Sequence, residues 1–338
     1  MNAGWEDLAT RAHGLATHLL GRRDFDVLAA ASSLDELSEA LRKRGFVVPE
    51  GAISADVLEL TVRRTAAARL RILSRWAGSR NAVLAVIFED EDRRSLRAIL
   101  RGAVQGAPAD LRLAGIIPTP ALPERALREL AAQATPRAVA TLLTTWGNPY
   151  GSALLRHTES TQPDLLAIDD CLNRTFAARA LRGARIAHNR TLVEYVRLVI
   201  DLENACAALV LAAGPRTDAS AKQAFVEGGR HLSLAAFLQT VSAGEAGAGQ
   251  RLAVAFRPAG LATAFERWAG DPAAIEHRVL RYRIAALKGA ERRDPAGPAA
   301  VLGFALRVRA EVLDLRRLIW GIVLRAPRSE LGAGLVSV

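Results

Sequence analysis

Asp92-Arg93-Arg94-Ser95-Leu96, Asp201-Leu202-Glu203-Asn204-Ala205 and Glu311-Val312-Leu313-Asp314-Leu315 are three versions of one short pattern. Each has an acid, a polar residue three positions later, and apolar residues around them. The starts lie 109 and 110 residues apart, close to a third of the 338-residue chain. A period of that length points to a chain built from repeated units. The surrounding stretches are helical: in the second copy Tyr195, Leu198, Leu202, Ala205 and Leu209 recur at the spacing of one helix face. An acid on such a stripe is costly to bury unless a partner satisfies it.

Two further landmarks accompany each copy in the same order. A helical stretch running into an aromatic precedes it: Leu37/Leu41 to Phe46, Leu142/Leu143 to Tyr150, and Leu252 to Phe256. A Gly or Pro break follows it, at Gly115 to Pro120, at Gly228-Gly229 and at Ala326-Pro327, the third copy being cut short by the end of the chain. Together these predict an all-α protein of three related helical bundles of about 110 residues, 1–118, 119–228 and 229–338.

Composition agrees. Half the residues are apolar and only 5% aromatic, with Ala, Leu and Arg dominant, which favours helices and argues against an all-β fold. The longest apolar run, near Ala205 to Ala213, falls short of the roughly 20 residues that span a bilayer. The first residues carry Trp5, Glu6 and Asp7 before any basic residue, unlike a secretory signal. Two cysteines, Cys171 and Cys206, suit a reducing compartment, so a cytoplasmic location is expected. The net charge of +10 suits an acidic partner, yet the excess is almost entirely arginine, interleaved with acids along helices as in Arg125/Arg128/Glu129. That spread argues against a nucleic-acid face, where basic residues cluster with aromatics.

Catalytic patterns are missing. There is no phosphate-binding loop and no Gly-x-Ser-x-Gly elbow. The six histidines include no His-x-x-x-His pair, so neither metal nor cofactor is expected. Glu227-Gly228-Gly229-Arg230-His231 is the nearest approach to an anion-binding turn, and a helix break explains the same letters. The candidate site is therefore the repeated motif: Asp92, Ser95, Asp201, Asn204, Glu311, Asp314 and Arg316. Two readings stand side by side. In one, the acids brace each bundle by capping or by pairing with an arginine such as Arg97, Arg197 or Arg316; in the other, they face a common cavity that receives a partner.

At these residues the chain resembles the C-type rotor subunit of the prokaryotic V-type (A-type) ATPase, the counterpart of the d-type subunit of the eukaryotic V-ATPase. The likeness runs from Arg11-Ala12-His13 and Leu19-Leu20 through the helix Leu34 to Phe46 and the first motif, ending Ile99-Leu100-Arg101. It continues with Glu194-Tyr195-Val196 leading into Asp201-Leu202-Glu203-Asn204, then Phe225 and Gly228-Gly229-Arg230. It closes with Asp294-Pro295, Gly297, Val301 to Phe304, Glu311, Leu315-Arg316, Ile319 and Pro327 to Leu335. Ser95 stands where the family has Asn, and Ala205 where it prefers Leu. The resemblance implies a funnel-shaped, pseudo-threefold helical body on the cytoplasmic face of the membrane, without catalysis or transmembrane insertion of its own. Its implied partners are the central-stalk subunits of D and F type, the proteolipid rotor ring and, indirectly, the catalytic A/B head; the implied task is to pass torque between them. The alternative is an all-helical basic scaffold or nucleic-acid-binding protein unrelated to rotary ATPases.

Overall fold

The computed structural model describes residues 4–336 except 161–162, 215–217, 258–260, 267 and 269–271. Among the described residues there are eighteen α-helices, one 3-10 turn and no strand. The fold is all-α, as the composition predicts. Six helices of 22 to 26 residues dominate, and they fall into three pairs: Ala55–Ala77 with Asn81–Val104, Leu165–Ile186 with Arg190–Ala212, and Pro272–Arg293 with Pro298–Val323. First members begin 110 and 107 residues apart, and second members 109 and 108. Each copy of the acidic motif lies 11 to 13 residues past the start of a second member.

Local chemistry sets these boundaries. Ser54, Asp164 and Asn189 occupy N-caps and accept the N–H of Val57, Leu166 and Leu192. Gly297 precedes a helix whose first residue is Pro298, where a missing N–H costs nothing. Within the first pair the chain turns at Gly78, whose φ of +52° suits a residue without a Cβ.

By packing, the chain divides into two compact units. One comprises 1–91, 114–124 and 283–338, the other 92–113 and 125–282, so both divisions at 91/92 and 282/283 fall inside long helices. In the first unit Pro298–Val323 is the central helix, packed by Ala55–Ala77 and Glu6–Ala16. Phe304, Leu315, Leu318 and Ile319 on it are fully enclosed. In the second unit Leu165–Ile186, Leu234–Ser242 and Gly244–Phe256 pack on Arg190–Ala212. Phe237, Leu252, Phe256 and Phe265 fill the space beneath, with the rings of Phe256 and Phe265 4.9 Å apart. The three aromatics picked out by the sequence, Phe46, Tyr150 and Phe256, are all buried. Burial of such side chains, at about 1.5–3 kcal/mol each, is the main force holding each unit together.

Candidate functional site

Asp201 sits on Arg190–Ala212 with no exposure to solvent. Its Oδ2 accepts the backbone N–H of Arg230 at 2.8 Å and of His231 at 2.9 Å, and its Oδ1 accepts Leu232 N–H at 3.1 Å. One turn on, Asn204 holds both backbone groups of Val226: its Nδ2 donates to the carbonyl at 2.8 Å and its Oδ1 accepts the N–H at 2.9 Å. The acid and the amide together fasten the loop 225–233 onto the helix. Glycine is needed where the loop passes closest, because a Cβ on Gly229 would strike Asp201 Oδ1. At Gly228 φ is +112°, and a Cβ would lie 2.6 Å from Leu181 Cδ1. The Glu-Gly-Gly-Arg-His turn thus does gather backbone N–H groups around an anion, and that anion is the chain's own carboxylate.

Glu311 and Asp314 repeat the device on Pro298–Val323. Asp314 accepts the N–H of Val336 at 2.6 Å, 22 residues further along, the same offset that separates Asn204 from Val226. Glu311 Oε1 accepts Leu20 N–H at 2.8 Å, while its Oε2 pairs with Arg69, which also donates to the His18 carbonyl at 2.8 Å. Leu20 precedes the Gly21 N-cap of the helix Arg22–Ala29, much as Leu232 precedes the Ser233 N-cap of Leu234–Ser242. The loop that closes the last copy therefore comes from the beginning of the chain. Burial raises the Glu311 carboxyl above its ordinary range against the opposing pull of Arg69 and the Leu20 N–H.

Of the two ways of bracing expected from the sequence, capping and arginine pairing, Asp201 uses the first and Glu311 both, with Arg69 in place of the arginines expected. Asp201 is answered by backbone N–H groups, and Glu311 by Arg69 and a backbone N–H. Arg316 instead bonds Glu59 at 2.8 Å, where the Trp320 indole also donates at 2.7 Å. Arg97 bonds Glu203. Asp92 and Ser95 are both buried in Asn81–Val104. The structure thus brings Asp201 and Asn204 together at one loop, and Glu311 and Asp314 together on another helix.

A second polar cluster, missed by the sequence reading, lies beside the motif in the second unit. Arg93, fully enclosed, donates to Asn173 and to Glu203 at 2.7 Å, with its guanidinium 5.0 Å from the Phe176 ring. Arg97 donates to the same Asn173 and Glu203, at 2.7 and 2.9 Å, and Arg101 pairs with Asp169. Burial pushes the Glu203 carboxyl up, and Arg93 with Arg97 outweighs it, holding the group well below the glutamate range. The signal was available: Arg93, Arg97 and Arg101 are four apart on one helix, and Asp169 and Asn173 are four apart on another. The cluster borders a cavity of about 380 Å³ lined also by Cys206, Val210 and Trp268. Burial, helped by Glu203 and Glu276, pushes the Cys206 thiol up to about 12, and burial with Asp170 takes Cys171 to about 11. Both environments disfavour the thiolate, the form that attacks. No group of three or more His, Cys, Asp or Glu suited to a metal ion occurs among the described residues. None of their helices is long and apolar enough to cross a membrane.

The arrangement is one of attachment: buried acids and amides bind loops to long helices. Residues 8–333 match the family model of the ATP synthase (C/AC39) subunit. A comparison with curated proteins gives no match.

Proposed function

The chain belongs to the ATP synthase (C/AC39) subunit family and is a structural, non-catalytic subunit of a rotary ATPase, from which we propose that it is the socket between the central stalk and the membrane rotor ring. In this reading it is peripheral on the cytoplasmic face, receives stalk subunits of D and F type, rests on the proteolipid ring, and passes torque between the A/B head and ion transport. Its body is three related units, each a pair of long helices preceded by short ones.

The observation that carries the reading is the loop attachment at corresponding places, Asn204 to Val226 and Asp314 to Val336, each across 22 residues. A torque adaptor needs loops that do not yield under load. A fully buried carboxylate holding several backbone N–H groups fixes a loop more sharply than apolar contact does, because hydrogen bonds have direction. Close packing around the long helices supplies the remaining stiffness. The motif residues then serve as braces for the walls that meet the partners. Arg316 with Glu59 and Trp320 is a further brace.

The test is recovery of partners. The native protein, tagged at its C-terminus and extracted in mild detergent, should bring down stalk, head and a small proteolipid by mass spectrometry. Recovery alone or with nucleic acid would refute the socket. Retention on the ring should also weaken between about 50 and 500 mM salt, since exposed charge contacts are screened on that scale.

A further inference from the structure

Within the first unit, the ends of two long helices and the N-terminal helix bring exposed cations and apolar side chains together. On Ala55–Ala77, Arg71 and Arg75 form one exposed ridge, and Ile72 and Trp76 the ridge beside it. Trp76 is 50% exposed. The Arg11 guanidinium lies 3.4 Å from its ring centre, so a cation already covers part of it. At the end of Pro272–Arg293, Lys288, Arg292 and Arg293 are exposed. The helix Glu6–Ala16 spans both places: Asp7 pairs with Arg80, Arg11 stacks on Trp76, and His13 Nε2 is 2.6 Å from Glu291 Oε1. Arg11 and His13, two residues apart, leave opposite flanks of that helix, so the two ends lie on either side of it, with its exposed face between them.

The carboxylates here are fewer than the cations. Asp7 pairs with Arg80 and Glu291 is hydrogen-bonded with His13, and Glu6 and Asp294 are the others. Against them, Arg71, Arg75, Lys288, Arg292 and Arg293 have no ion pair or side-chain hydrogen bond among the described residues. A surface cation normally gains little from a partner, so one unpaired arginine means nothing. Arg71 and Arg75 beside a half-exposed tryptophan and an isoleucine, with a second basic helix end across the same N-terminal helix, are different. Apolar side chains that enter the headgroup layer, flanked by Arg and Lys that meet phosphate, are the chemistry of an interfacial contact.

We propose that this basic and aromatic patch docks on the surface of a bilayer carrying anionic phospholipid. Arg71, Arg75, Lys288, Arg292 and Arg293 meet lipid phosphates, and Trp76 with Ile72 enters the interface. The inference takes from the socket reading only that a bilayer lies within reach, and it adds lipid as a partner beside the protein ring.

The experiment uses the purified full chain and vesicles of phosphatidylcholine with or without about one-third phosphatidylglycerol, read by co-sedimentation. Binding is expected to the anionic vesicles alone and to fall with salt. A juxtamembrane cation contributes roughly a fivefold factor in partition, so R71A/R75A and R292A/R293A should each weaken binding roughly 25-fold. R71K/R75K should retain it, and Trp76→Ala should lower it without changing the salt slope. Thermal melts equal to wild type exclude misfolding of these exposed variants. Absence of binding to anionic vesicles, or alanine variants that fold and bind as wild type does, would overturn the proposal. So would equal or tighter binding to polyglutamate or duplex DNA that ignores Trp76→Ala, which would assign the patch to an acidic macromolecule. Partner recovery from detergent extracts tests the socket independently, so failure of either reading leaves the other measurable.

Discussion

Replacing Asp201 by Asn keeps the shape of the side chain and changes what it can accept. The carboxylate takes three N–H groups, two at Oδ2 and one at Oδ1. The amide can turn its oxygen toward Arg230 and His231, but its NH2 then faces the N–H of Leu232, donor against donor. Two charge-assisted bonds become neutral, losing about 1 kcal/mol each, and the buried Leu232 N–H is left unsatisfied, costing about 1–3 kcal/mol. A neutral amide is easier to bury than a charge, which offsets part of this, so a net loss of about 3 kcal/mol is expected. For a packing unit in the range of 150–250 residues that is a fall in melting temperature of about 6–12 °C. Circular-dichroism melting measures it, and hydrogen exchange at the amides of 230–232 locates it. Gly229→Ala should act in the same direction, because its Cβ would displace the same carboxylate. Combined with Asp201→Asn it should lose less than the sum, as coupled neighbours do. A melt within about 1 °C of wild type together with unchanged protection at 230–232 would refute the bracing role.

Removal of Arg93 leaves Glu203 buried with less compensation, so Arg93→Ala should destabilise by about 3–5 kcal/mol, measurable by urea unfolding. A variant with R93A and E203Q together should recover part of that. Because the Glu203 carboxyl is held well below 4.5 when folded, its contribution is full above the unfolded value and lost as pH falls through the folded one. An acid titration of unfolding free energy should show E203Q less acid-sensitive than wild type below the ordinary carboxylate range. Cys171 and Cys206, with thiols raised to about 11 and about 12, should resist a thiol-reactive chromophore at pH 8 and react at once in denaturant.

The helical class was legible because Ala, Leu and Arg dominate and apolar residues recur at 3.6-residue spacing. The period was legible because a buried acid on an apolar stripe is rare enough to be noticed three times. What Asp201 and Glu311 touch was less so. A backbone N–H exists at every residue except proline, so a carboxylate that pairs with one leaves no partner signature, and capping could be expected without naming the segment capped. Gly228-Gly229 illustrates the same gap: the letters announce a break, while the reason for a second glycine is an oxygen atom contributed from 28 residues earlier. The partner of Glu311 was hidden differently. Leu20 lies 291 residues away, and a period that runs along the chain gives no hint of a contact that returns to its beginning. The arginine cluster escaped because its spacing reads equally well as a solvated face, and only the facing helix with Asp169 and Asn173 shows that Arg93 and Arg97 turn inward.

That Leu20 completes the site of Glu311 bears on how such a chain could carry load. Here the chain's first residues are anchored by its last long helix, through Glu311 to the Leu20 N–H and through Arg69 to both Glu311 and the His18 carbonyl. Asp314 to Val336 N–H secures the final turn of chain on the same helix, one turn along from Glu311. The segments at His18–Leu20 and at Val336 are thus held by one buried helix. Desolvating these carboxylates opposes folding, and an apolar replacement of similar volume could be as stable. An apolar contact would, however, allow the ends to slide, whereas a carboxylate bound to a particular N–H fixes register. On the socket reading, register is what torque demands, and Asp201 and Glu311 supply it on helices against which their neighbours pack.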